Sequence, residues 1–159
     1  GAVNGPAAGV GVSLALGCDL TVAAESAYLL LAFTRIGLMP DGGATALVAA
    51  SIGRARALKM ALLAERLPAS EALAAGLIAE VYPDDGFAAA VDALAARLAA
   101  GPVEAFRSTK DAINDATLGE LDNAFGRERA GQLELLASAD FHEGVSAFQE
   151  KRTAVFGRS

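Results

Sequence analysis

The chain has 159 residues and a mass of 16.0 kDa, enough for one domain of ordinary size and too little for two well-built ones. Thirteen Lys plus Arg against 19 Asp plus Glu give a formal charge of -6 and a pI near 4.7, which argues against nucleic acid or an anionic membrane as the main partner. Hydrophobic residues make up 53% and charged residues 20%, so the chain should bury a real core and still present apolar surface to another subunit or to further chain.

A single cysteine, Cys18, excludes an internal disulfide framework and a multi-cysteine metal site, and it fits a reducing, cytoplasmic location. It reads as a buried small hydrophobe rather than a nucleophile. One histidine, His142, excludes a multi-histidine zinc site, so no metal is expected. Residues 1–18 carry no charge, but five glycines with Asn4, Pro6 and Ser13 make them a poor lipid-facing helix, and no basic segment precedes them.

In chain order, residues 1–9 read as a strand end and loop, followed by a short buried helix over Val10–Leu16 closed by Gly17. Asp19–Ala24 and Tyr28–Leu31 are predicted strands around a turn at Glu25 and Ser26. After the Pro40-Asp41-Gly42-Gly43 turn come helices over Ala44–Ala50, Arg54–Ala64 and Ser70–Ala75, the last capped by Gly76, and then an apolar strand over Leu77–Tyr82. From Asp84 the pattern is helical throughout, over 85–100, 103–116, 118–138 and 141–154, with apolar residues at helical spacing such as Leu118, Leu121 and Phe125. Four helices without strands predict a sub-bundle. The fold class is α/β with a composition boundary near Gly101-Pro102, dividing residues 1–101 from a helical region over 102–159.

Three places carry residues suited to chemistry. The segment Asn4-Gly5-Pro6-Ala7-Ala8-Gly9-Val10-Gly11 sets small residues around a helix start, where free N–H groups favour an oxygen anion. A tight strand-to-helix packing turn accounts for the same spacing. Asp41 opens an apolar helix that carries no charge until Arg54, and it reads either as a carboxylate tuned by apolar surroundings or as an N-cap accepting backbone N–H bonds. Phe148, Lys151 and Arg152 could hold a phosphorylated ligand, or form an ordinary charged helix end. Ser13 and Phe33 read as packed residues, while Arg54, Arg56, Lys59 and His142 read as solvated.

Taken in order, AVNGPAAGVGVSLALGCDLTVAAESA, FTRIGLMPDGGAT, LPASEALAAGLIAEVYP and HEGVSAFQEKR resemble the crotonase superfamily of enoyl-CoA hydratases and isomerases. The resemblance implies a ββα spiral core, incomplete at its N-terminus, and a C-terminal helical region that builds homotrimers or hexamers. Relatives bind an acyl-CoA thioester, with coenzyme A as part of the substrate and no other cofactor. They hold its thioester oxygen with two backbone N–H groups. By the resemblance Val10 supplies the second of these, while the first belongs to an earlier strand and loop. The chain, which opens at Gly1, would then correspond to the C-terminal three-fifths of a family member. Gly9, Gly11, Phe33, Pro40, Gly42 and Gly43 are implied around the acyl group, and Phe148 and Lys151 at the CoA nucleotide.

Family hydratases carry two glutamates, and their places hold Ser13 and Phe33 here. Asp41 sits where related isomerases carry a proton-shuttling acid, and IGLMPD is closest to the isomerase branch associated with phenylacetate degradation. The resemblance therefore implies an enoyl-CoA isomerase with one aspartate as acid and base. Two alternatives stay open: an aryl-CoA dehalogenase type of chemistry, with the aspartate as nucleophile, and a non-catalytic acyl-CoA-binding assembly module. Ala44 departs from the family turn, standing where a second glycine is usual.

Overall fold

The computed structural model describes residues 1–157. Short strands and helices alternate through its first half: β1 (Ala2–Val3), β2 (Pro6–Ala8), α1 (Val10–Leu16), β3 (Val22–Ala24), β4 (Tyr28–Leu30) and a 3-10 helix (Ala32–Ile36). Next come α2 (Ala44–Leu63), β5 (Leu67–Pro68), α3 (Ala69–Ala75) and β6 (Glu80–Tyr82). Four helices follow: α4 (Phe87–Ala99), α5 (Val103–Thr117), α6 (Leu121–Leu135) and α7 (Ala139–Gln149).

The strands divide between two sheets. In one, β3 lies between β1 and β6, all parallel, with Ala2 opposite Val22 and Val22 opposite Glu80. In the other, β4 lies between parallel β2 and antiparallel β5. Consecutive strands thus enter different sheets: β1 and β2 are separated only by Asn4-Gly5, and β3 and β4 by one turn. The first two circuits each lay one strand in each sheet before a helix, as in the ββα spiral of the crotonase fold, whereas α3 stands between β5 and β6. The inner strands lack polar alternation because both faces are covered: Val22, Ala23 and Ala24 are all buried, as are Leu29 and Leu30.

The strands are shorter than their apolar runs. Just before β3, Thr21 accepts from Ala79 N–H at its backbone oxygen, 2.8 Å away, and donates its Oγ1 to Ala15 O at 2.6 Å, fastening the start of β3 to α1. Leu77 closes α3 instead of opening a strand, its N–H donating to Ala72 O at 2.9 Å. In α2, Gly53 at φ 76 and ψ 163 breaks the helix into two arms, matching the two helices expected on either side of it.

Two expectations are corrected. The last four helices do not close a bundle of their own: α4 and α5 bury no residue, α6 packs on α2, and α7 packs on the 3-10 helix. Their apolar stripes are real, but on α5 Val103, Phe106 and Ile113 stay exposed, the last two along an open cleft shared with α1 and α6. Cys18 is exposed, because the chain leaves α1 at Gly17 and carries it to the surface beside Gly1.

Candidate active site

The Pro40–Gly43 turn is wedged between α1 and α6. Gly42 and Gly43 take positive φ values of 67 and 84. A Cβ on Gly42 would stand 2.9 Å from Ser13 Cβ and 3.4 Å from Val10 Cγ2, and one on Gly43 would stand 3.0 Å from Leu121 Cδ1. Only a glycine pair passes through this space. Ser13, buried on α1, donates its Oγ to the backbone oxygen of Asp41 at 2.6 Å, so the turn is tied to the helix where the close approach occurs.

The carboxyl group of Asp41 is partly buried and accepts from Gln132 Nε2 at Oδ2, 2.7 Å away. It does not cap α2, contrary to the N-cap reading. That position belongs to Gly43, and the anion at the helix start is Glu128 of α6. Glu128 is 2% exposed and accepts from Gly43 N at 2.7 Å through one oxygen, and from Thr45 N at 2.9 Å and Thr45 Oγ1 at 2.5 Å through the other. A carboxylate with both oxygens on the orphan donors of a helix N-terminus is a strong cap supplied from a distant element. The Asp41 side chain is thereby released from capping. Ala44, fully buried, begins the helix without displacing the turn.

Across the gap, α1 starts at Val10. Gly9 precedes it at φ 56 and ψ -127, its N–H donating to Leu30 O at 2.8 Å, and Val12 N–H turns back to Gly9 O at 3.0 Å. Val10 N–H, at the first helical position, has no intrahelical acceptor. The Phe33 ring lies behind this start, with Cζ 3.9 Å from where a Gly9 Cβ would be, and it is 9% exposed within the core cluster. Gly11 has open space around its Cβ direction.

Val10, Ser13, Phe33, Asp41 and the two glycines are thus brought together. Phe148 and Lys151 are not. Phe148 is 78% exposed and lines a separate cleft with Arg35 and Ile36, which contains no residue of α1 or of the turn. Lys151 follows at φ 54, exposed. Arg152 is bound internally, since Glu143 and Glu150 hydrogen-bond its guanidinium and push its pKa further up. Arg54, Arg56, Lys59 and His142 are exposed as expected.

A cleft of about 680 Å³ opens between Ser13 and Gly42 on one side and Phe106, Ile113, Leu121 and Phe125 on the other. Among the described residues, no group of three His, Cys, Asp or Glu side chains could hold a metal ion, and no helix is long and apolar enough to cross a membrane. Two residues of the site, Glu128 and Gln132, escaped the sequence analysis. Their signal was present: both lie on the apolar stripe of α6 with Leu121, Ala124 and Leu135, where a polar side chain needs a partner.

The chain is similar over nearly its whole length to known proteins. A probable enoyl-CoA hydratase of Rhodobacter capsulatus is 49% identical over 155 residues, covering 98% of this chain and 60% of that protein. The 1,2-epoxyphenylacetyl-CoA isomerase of Escherichia coli is 44% identical, covering 98% and 59%. The crystal structure of an enoyl-CoA hydratase from Mycobacterium avium subsp. paratuberculosis superimposes with a TM-score of 0.95 at 63% identity, covering 97% of this chain and 63% of that one. The chain therefore spans about 60% of the length of the curated relatives it matches. The family model for enoyl-CoA hydratase/isomerase matches residues 1–159, and with the spiral of paired strands and the glycine turn set against α1, the chain belongs to that family.

Proposed function

We propose that the protein carrying this chain is an enoyl-CoA isomerase that moves a double bond along an acyl-CoA, with Asp41 as its acid and base. The observation that carries this reading is the division of labour between two carboxylates. Glu128 spends both oxygens on the start of α2, whereas Asp41 keeps Oδ1 free of any protein partner among the described residues. Ser13 and Phe33 supply no second proton carrier: the hydroxyl of Ser13 is committed to Asp41 O, and Phe33 has no exchangeable group. The 44% identity to a 1,2-epoxyphenylacetyl-CoA isomerase supports the same direction.

The thioester oxygen of a 3-enoyl-CoA accepts from Val10 N–H, which stands at the start of α1 without an intrahelical acceptor. Asp41 then removes a proton from C2. The electron pair of that C–H bond moves into a dienolate spread over the thioester oxygen and C2 to C4, which the oxyanion donor stabilises. The same carboxyl returns the proton at C4, leaving the double bond between C2 and C3. No atom is gained or lost, and the Phe33 ring keeps water from the reacting carbons. Phe148 and Lys151, set apart from this site within the chain, hold the CoA nucleotide at the site of a neighbouring subunit, and the exposed apolar side chains of α5 serve assembly.

Hydration is the second reading, favoured by the description of two relatives as enoyl-CoA hydratases. The two reactions separate cleanly. In oxygen-labelled water, isomerisation turns a 3-enoyl-CoA into a conjugated thioester that carries no label, while hydration adds labelled water across the conjugated bond of a 2-enoyl-CoA to give a 3-hydroxyacyl thioester. Rapid label incorporation from the 2-enoyl-CoA with no conversion of the 3-enoyl-CoA would contradict the isomerase reading.

A further inference from the structure

The turn that carries Asp41 is held from one side by a single helix. Glu128 and Gln132, one turn apart on α6, reach the backbone of Gly43 and the carboxylate of Asp41, each across 2.7 Å. Gly131 between them lets the Met39 sulfur lie flat against α6, where a Cβ would collide with it. The far end of the Gln132 amide, Oε1, is buried and meets no donor among the described residues. A leucine or methionine would fill this space without leaving an acceptor unmet, so the amide is accounted for by what its Nε2 does at Asp41.

A carboxylate that serves two carbons of one acyl chain has to keep one orientation between the two transfers. With a donor fixed on Oδ2, rotation about Cβ–Cγ is blocked, and Oδ1 is left to take up the proton. We infer that Gln132 is the positioning residue of Asp41: it clamps Oδ2 so that Oδ1 both receives the proton from the first carbon and delivers it to the second. This rests on the isomerase reading and adds to it the element that keeps the transferred proton on one oxygen.

The test uses a 3-enoyl-CoA deuterated at C2 and follows the share of deuterium found at C4 of the product. Gln132→Leu should lower kcat about tenfold while leaving KM within about twofold, and should cut the retained label at least about twofold, because a rotating carboxyl presents its proton to water. Parental kcat with parental label retention would overturn the inference. So would a fall in kcat that tracks a lower melting temperature with label retention unchanged, which is the signature of packing alone.

An arm independent of turnover uses the side-chain amide resonances of Gln132. They should move in Asp41→Ala, and if they stay in place the clamp does not exist. The two levels fail separately. Full activity of Asp41→Asn removes the isomerase reading, whereas an inactive Asp41→Asn beside a fully active Gln132→Leu removes only the clamp.

Discussion

Residues 1–82 and residues 87–149 bury themselves in different ways. The first region is filled by side chains with almost no exposure, including Val12, Leu29, Leu31 and Val48, gathered where the two sheets, α1 and the first arm of α2 meet. In the second region the fully buried positions are Ala124, Glu128, Gly144 and Ala147, three small residues and one carboxylate. The C-terminal helices are thus docked by close backbone approach and polar anchors, not by a core of their own. A Cβ on Gly144 would stand 2.5 Å from Ile36 Cα, which shows how tightly α7 meets the 3-10 helix. α6 takes its place from the Pro40–Gly43 turn, and the turn takes its shape from α6.

That contrast sets an order of expected effects. Leu29→Ala, at a position with no exposure, should cost about 4 kcal/mol in urea unfolding, as a cavity at the meeting of both sheets and α3. A loss below about 1 kcal/mol would mean that the spiral is not the stable part. Glu128→Ala should cost about 2 to 3 kcal/mol, because the N–H groups of Gly43 and Thr45 lose a charged acceptor in a buried place. The same variant should raise amide hydrogen exchange through the first turn of α2 while leaving β3 and β4 protected. Val103→Ser, at the start of α5 with 66% exposure, should change the stability of the chain by no more than about 0.5 kcal/mol. If it instead weakens self-association in sedimentation, the exposed start of α5 is an assembly surface; no change in either quantity would remove that role.

Much of the first region was legible in the sequence because its signals are local. The small apolar run from Val10 to Leu16 followed by Gly17, and the helical arms on either side of Gly53, follow from composition and glycine placement alone. The convergence of Val10, Ser13, Phe33 and Asp41 could be expected only through resemblance, since nothing in the spacing of positions 10, 13, 33 and 41 brings them together. What escaped notice depends on contacts across long stretches of chain. Glu128 meets Thr45 across 83 positions and Gln132 meets Asp41 across 91, and a cap supplied from so far leaves no mark in the turn it serves. The mark lies on α6, in two polar side chains on an apolar stripe. The expected sub-bundle failed for a related reason: periodicity shows that a helix has an apolar face, and is silent on whether that face turns inward.

The central claim is that Asp41 alone moves the proton. Asparagine at position 41 keeps the size of the side chain and an oxygen for Gln132 to meet, but cannot take up a proton. The decisive measurement is the single-turnover rate of conjugated thioester formation from a 3-enoyl-CoA by Asp41→Asn and its parent, at matched saturation with acyl-CoA. The rate should fall by about 1000-fold or more, with thioester affinity within about threefold of the parent, since the group acts in the transition state and not in binding. An Asp41→Asn protein that isomerises as fast as its parent would contradict the account.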